Sequence, residues 1–254
     1  LFKVTERLTA SKARLGHILD DVQKSDWCEQ TLYLSRNWLS AYSEGRRGSP
    51  AIRTDEALNA IIDEAGDSET GLVVFIGKEK SVAISPPFPL SEDIESTGAS
   101  TGRLRDFMER KLVVGIVLLR LGRYAVGVLD GEKLVASKTD SRYVKNRHRA
   151  GGSSQRRFER SRERLIRELF DKACEVTQNV LSPHENNIDY VLMGGEKQTI
   201  GGFIKRCAYV QKLESKTLNR RLPVERPGKA ALDGIAFEVW KSRVTVFEYN
   251  EIRL

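Results

Sequence analysis

Apolar positions recur along this chain in two rhythms, one of three to four residues and one of two, and their succession predicts its elements. Phe2, Val4, Leu8, Leu15, Ile18, Leu19 and Val22 fall at roughly helical spacing and predict a helix through the first 22 residues. QTLYLS at 30–35 predicts a strand, and residues 52–65 a helix capped by Thr54. Apolar runs at 71–76 and 81–84 flank Gly77-Lys78-Glu79-Lys80, a hairpin signal. Residues 85–102 hold Pro86, Pro87, Pro89 and the polar run SEDIESTGASTG, which predicts a surface connector and a domain boundary. Three further runs at 112–121, 124–129 and 133–138 are separated by turns carrying Gly122 and Asp130-Gly131, as in a meander. From Gln155 to about Leu181, Phe158, Leu165, Leu169, Ala173, Val176 and Val180 step by a helical period. Ile166 and Phe170 widen that stripe into a face for burial against the sheet, and Pro183 closes the helix.

Residues 188–193 are continuously apolar, predicting a strand that ends in Gly194-Gly195. A helix through Phe203, Ile204 and Cys207 follows, then a helical stretch at 227–233 and strands at 236–240 and 244–249. A meander followed by helix–strand–helix gives an α/β chain with mixed sheets and helices on their faces. The boundary divides it into an N-terminal α/β domain with connector over 1–105 and a second domain over 106–254.

Composition narrows the setting. At 254 residues the chain has enough length for one large domain or two modest ones, each able to bury its own core. With 40% hydrophobic and 30% charged residues it reads as globular, and no run approaches the ~18 apolar residues of a membrane helix. No secretory pattern opens it, so a cytoplasmic protein without a membrane partner is expected. Cys28, Cys174 and Cys207 are odd in number and lack metal-ligand spacing, which predicts neither a disulfide framework nor a zinc site.

Charge changes the picture more. Between Lys138 and Arg167 stand eleven Lys and Arg against three acids, a surplus of eight that exceeds the net +7 of the whole chain. Residues 1–70, with nine basic and twelve acidic side chains, are by contrast net negative. Such asymmetry points to a polyanion meeting one part of the molecule. The alternative is a solvated helix face rich in arginine. At the centre of the basic window lies Gly151-Gly152-Ser153-Ser154-Gln155. Paired glycines permit close backbone approach, the serines suit a helix N-cap, and the free N–H groups of a helix start suit a phosphate or developing oxyanion. Arg142, Lys145, Arg147, His148, Arg149, Arg156, Arg157 and Arg160 bracket this tip as candidate RNA contacts. An amide does not titrate, so a catalytic Gln155 would orient water or a hydroxyl and stabilise charge rather than move protons.

With these residues in hand, the run YAVGVLDGEKLVASK at 124–138, HRAGGSSQRRFERSRE at 148–163 and IDYVLMGG at 188–195 resembles a known family. It is the catalytic middle domain of eukaryotic and archaeal peptide-release factors, with a hairpin, a GGQ-tipped loop and a helix opening on RFxRxR. The similarity covers about residues 112–250, and it implies an RNase-H-like sheet. Aligning Gly151-Gly152 and Arg157-Phe158 puts Ser153 at the release-factor Gln position, with Gln155 two residues later. This GGxSQ form resembles the ribosome-quality-control branch, the bacterial relatives of the yeast tRNA-releasing factor and its animal ankyrin-repeat, zinc-finger counterpart. The resemblance implies a catalytic Gln155, a hinge at Gly151, Gly152, Ser153 and Ser154, and as partners the large ribosomal subunit and peptidyl-tRNA. No cofactor and no metal are expected. Release would proceed by ester hydrolysis or by cleavage near the tRNA 3′ end.

Two rivals make distinct predictions. A non-catalytic ribosome or tRNA binder would need only the arginines. A metal-dependent RNase-H-like nuclease would need clustered carboxylates, for which Asp130, Asp140 and Asp189 near strand ends are the candidates.

Overall fold

The computed structural model describes residues 2–45, 52, 56–66, 68–144 and 153–249. The chain divides into two compact units, Leu1–Arg110 with Trp240–Leu254, and Lys111–Val239. Among the described residues no helix is long and apolar enough to cross a membrane.

The first unit opens with β1 (Phe2–Ala10) and α1 (Lys12–Lys24), where one continuous helix was expected. The neighbouring strand at 242–249 supplies the hydrogen bonds of β1, with a bulge between Val4 and Glu6 that breaks the alternation. Ser11 separates the two elements, its hydroxyl accepting from the Arg14 N–H at 3.3 Å as an N-cap. Next come β2 (Gln30–Leu34), α2 (Arg36–Ser43), α3 (Glu56–Ala65), β3 (Leu72–Ile76), β4 (Lys80–Ser85), β5 (Ile94–Thr97) and α4 (Gly102–Met108). The predicted β3–β4 hairpin is present, Thr54 lies outside the described residues, and the expected connector contains the short strand β5.

The second unit holds β6 (Val113–Arg120), β7 (Arg123–Asp130), β8 (Lys133–Ser141), α5 (Ser153–Leu181), β9 (Tyr190–Gly195), α6 (Lys197–Arg206) and α7 (Ala208–Lys212). β10 (Thr217–Leu222), α8 (Lys229–Asp233) and α9 (Ile235–Val239) complete it, and β11 (Ser242–Tyr249) returns to the first unit. Residues 236–240, expected as a strand, instead fall on α9 and Trp240.

The first sheet is fully antiparallel in the order β1-β11-β4-β3-β2-β5. Strand alternation gives it two covered faces. Leu32, Leu34, Val74, Ala83 and Phe247 join Trp38 and Leu39 of α2 and Leu58, Ile61 and Ile62 of α3 in one core. Tyr33 points the other way, its hydroxyl donating to the Ser100 carbonyl at 2.7 Å and accepting from the Leu104 N–H of α4. Because β11 is the pairing partner of both β1 and β4, the last strand belongs with residues 1–110. The sequence-based division had grouped it with everything after 106.

The second sheet has the order β10-β9-β6-β7-β8. β7 is antiparallel to β6 and β8, while β9 and β10 run parallel to β6. The architecture is a mixed α/β one with two sheets, and this five-stranded sheet with a single reversed strand has the RNase-H-like arrangement. Every residue of β6 between its ends is buried, as a central strand covered on both faces requires. Val117, Leu119, Tyr124, Val126 and Val128 pack under Leu169, Phe170, Ala173 and Val176 of α5 and Phe203 of α6. α8 covers β7 and β8 on the other face. A disulfide joins Cys174 of α5 to Cys207 at the end of α6, with Cα atoms 5.4 Å apart. This corrects the expectation of unpaired cysteines: 33 residues separate the pair in sequence, but both helices cover the same sheet face. Cys28 is free and buried.

Candidate nucleic-acid interface

α5 is 29 residues long, about 43 Å at the helical rise. Its apolar stripe was expected to be buried from Phe158 onward. The first buried side chain is Leu169, while Phe158, Leu165 and Ile166 are only half-buried. The periodicity is present, and Ile166 packs against the core cluster without being fully buried. Gln155–Glu168 therefore form a span of nearly four turns in which no side chain is fully withdrawn from solvent.

Gln155 lies in the first turn of this span and is exposed. Its Nε2 donates to Glu159 Oε1 at 3.1 Å, one helical turn on. Ser153 and Ser154 are the first two helical residues. Arg156, Arg157 and Arg160 are exposed along the same span. At 100° per residue, Arg157, Arg160, Arg164 and Arg167 line the face opposite Leu169, Ala173 and Val176. Of these Arg164 is paired, to Glu168 at 3.2 Å. Lys145, Arg147, His148, Arg149, Gly151 and Gly152 lie outside the described residues.

Arg142 follows β8, its N–H donating to the Gly122 carbonyl at 2.9 Å, and Tyr143 beside it is 77% exposed. Gly122 takes φ +95°, a left-handed conformation that favours glycine at this β6–β7 turn. Just below, the buried Tyr124 donates its hydroxyl to Asp140 Oδ2 at 3.2 Å. Burial first, and then Asp140, push the Tyr124 hydroxyl up to about 12. The Ser141 N–H, with Tyr124, Arg142 and Lys138 behind it, holds the Asp140 carboxyl below its ordinary value.

The three carboxylates of the nuclease alternative are not brought together. Asp130 pairs with Lys111 at 3.1 Å, and Asp189 accepts from the Val113 N–H at 2.8 Å. Asp130 faces Val113 in register, so both sit at one end of the sheet. Asp140 faces Tyr124, six residues away along β7, or about 20 Å. Among the described residues no group of three His, Cys, Asp or Glu side chains could hold a metal ion. Gly194-Gly195 reflects close strand packing: a Cβ on Gly195 would stand 2.0 Å from the Leu119 carbonyl oxygen, and one on Gly194 2.7 Å from Leu118 Cδ2.

Sequence reasoning missed the rim formed by the ends of β6 and β9. Arg120 Nη2 donates to Glu196 Oε1 at 2.7 Å, and that contact holds the Glu196 carboxyl low. The rim had no sequence signal, since 76 residues separate the two partners.

Residues 113–245, all of the second sheet and its helices, match the family described as Actinobacteria/chloroflexi VLRF1 release factor. The chain belongs to this release-factor family. It is 29% identical over 214 residues to peptide chain release factor subunit 1 of Aeropyrum pernix, covering 71% of this chain and 56% of that protein. With the same factor from Archaeoglobus fulgidus it shares 30% over 153 residues, covering 59% of this chain and 38% of that one. The chain thus spans about half the length of these curated relatives, or less. Among solved structures, archaeal translation termination factor aRF1 is similar with a TM-score of 0.39 at 21% identity, covering 88% of this chain and 68% of that one. The Vms1 mitochondrial localization core gives 0.42 at 13% identity, covering 82% and 95%.

Proposed function

We propose that this protein is a ribosome-associated release factor that frees nascent chains from peptidyl-tRNA stalled on large ribosomal subunits, with Gln155 as its catalytic residue. The observation that carries the reading is the exposed Gln155 in the first turn of α5, set among the exposed Arg156, Arg157 and Arg160. Membership of the release-factor family supports it, and the GGxSQ spacing favours the quality-control branch within that family.

The chemistry follows from what an amide does. Gln155 donates and accepts hydrogen bonds without titrating, so it orients the nucleophile. In ester hydrolysis a water oxygen bonds to the ester carbonyl carbon, the bond from that carbon to the ribose 3′ oxygen breaks, and the 3′ oxygen takes up a proton. In cleavage of the tRNA, a ribose 2′ oxygen bonds to the adjacent phosphorus. The bond to the 5′ oxygen breaks, leaving a 2′,3′-cyclic phosphate and a 5′-hydroxyl. The arginines of α5 offset the charge that develops on either route.

Stalled peptidyl-tRNA on large subunits, incubated with wild-type protein and with Gln155→Ala, tests this when both peptide and tRNA ends are resolved on one gel. Free peptide with full-length tRNA identifies ester hydrolysis, and peptide bearing a short RNA remnant identifies cleavage. Loss of one oriented donor is expected to slow release by ~10²–10³-fold with ribosome binding retained. Equal turnover by the two proteins removes Gln155 from the chemistry. Binding by both without product leaves a docking factor.

A further inference from the structure

A cleft of about 400 Å³ opens beside the Arg162–Phe170 stretch of α5, entirely within the second unit. Its floor is apolar, made by Ile166 and Phe170 of α5 and by Leu121 of the β6–β7 turn. Leu121 is 37% exposed, one of few large apolar side chains open to solvent among the described residues. Its walls are polar: Arg162 on the helix side, and Glu196 and the exposed Gln198 at the start of α6. Arg120 is paired to Glu196, so the carboxylate on this rim is neutralised as an ion pair.

The position has meaning in the fold. β6 and β9 are adjacent and parallel, yet the chain leaves β6 toward β7 on one side and reaches β9 on the other only through α5. The cleft lies outside the carboxyl ends of these two strands, where the strand order reverses, and open α/β sheets bind ligands at such a point. Its volume is within the range of small-ligand sites. Arg162 follows Gln155 by seven residues and Ile166 by eleven, about 10 and 16 Å along the helix axis.

We propose that this cleft holds one unstacked nucleobase of the RNA strand presented to Gln155. The release reading supplies the source of the strand; the shape and chemistry of the cleft supply the rest. An apolar floor accepts the face of a base, as single-stranded RNA recognition requires. The Gln198 amide can donate to and accept from a base edge. The arginine-rich helix forming one wall draws a polyanion rather than an uncharged peptide. The cleft thereby positions the strand while Gln155 acts on it, and Leu121 and Gln198 are positioning and not catalytic residues.

Fluorescence anisotropy with 5′-labelled pentaadenylate RNA and with its fully abasic counterpart tests the assignment. The proteins are wild type, Leu121→Ser and Gln198→Ala, whose solvent-exposed positions leave the core untouched, with folding checked by circular dichroism. Leu121→Ser, which removes apolar floor, is expected to weaken the base-bearing strand roughly tenfold, and Gln198→Ala, which removes a base-edge hydrogen bond, about fivefold. Binding of the abasic strand, and the slope of affinity against salt, should not move, since no phosphate contact is altered. The assignment is overturned if wild type binds both strands equally or if the substitutions weaken both alike. It is also overturned if a labelled apolar hexapeptide occupies the cleft in a Leu121-dependent way. None of these results bears on release by Gln155, which the turnover comparison of wild type with Gln155→Ala decides separately.

Discussion

At the scale of residues, the bond from Gln155 Nε2 to Glu159 Oε1 has a direct consequence. It engages the donor end of the amide with a side chain four residues on. Replacing Gln155 with Glu would remove that donor and set two carboxylates one turn apart, which repel. Gln155→Glu is therefore expected to release no faster than Gln155→Ala, a ranking that single-turnover assays on the same substrate check. A second residue-level consequence concerns pH. Tyr33 and Tyr124 are both pushed up to about 12, above the ordinary value of 10, chiefly by burial. A raised pKa means the folded state keeps the proton that the unfolded chain gives up. Their contribution to stability is complete below pH 10 and disappears as pH rises through about 12. Urea midpoints measured across pH 8 to 12 should hold and then fall over that window, and Tyr124→Phe should flatten part of the fall.

At the scale of elements, α5 has two regimes. From Leu169 onward it is packed on the sheet and tied to α6 by the Cys174–Cys207 disulfide. Before Leu169 it carries the arginines and Gln155, and none of its side chains from Gln155 to Glu168 is fully buried. Closing a loop of 33 residues is worth ~3–4 kcal/mol on the chain-entropy account. Reduction, or paired Cys174→Ser and Cys207→Ser substitution, should lower the unfolding free energy of the second unit by that amount, seen as a lower midpoint in urea titration with and without reductant. The sequence revealed α5 itself, since a stripe from Phe158 to Val180 has one periodic reading. It did not reveal where burial begins, because half-buried Leu165 and buried Leu169 are the same residue type at the same spacing. The meander β6–β8 was legible from its turns, whereas β10 was not: TLNRRL is polar, and its edge position supplies the reason. The disulfide was illegible because pairing depends on which helices share a face.

At the scale of the whole molecule, the partition into Leu1–Arg110 with Trp240–Leu254 and Lys111–Val239 gives the second unit a complete sheet and core of its own. A fragment spanning 111–239 is expected to fold cooperatively, with a thermal transition by circular dichroism and dispersed amide resonances by NMR. A fragment spanning 1–110 lacks β11 and should not fold so, since β1 and β4 would each lose a neighbouring strand. The candidate site shows the same limit on what sequence conveys. Gln155 and its arginines are contiguous and could be read, while Leu121, Ile166 and Gln198 are brought together only by the topology.

The placement of β11 also dictates an order of assembly. During synthesis residues 1–110 emerge without the strand that separates β1 from β4, and they must wait for Ser242–Tyr249 before their sheet can close. The inserted unit has everything it needs as soon as Val239 is clear of the exit tunnel. The part of the protein bearing Gln155 is thus born ahead of the part that precedes it in sequence.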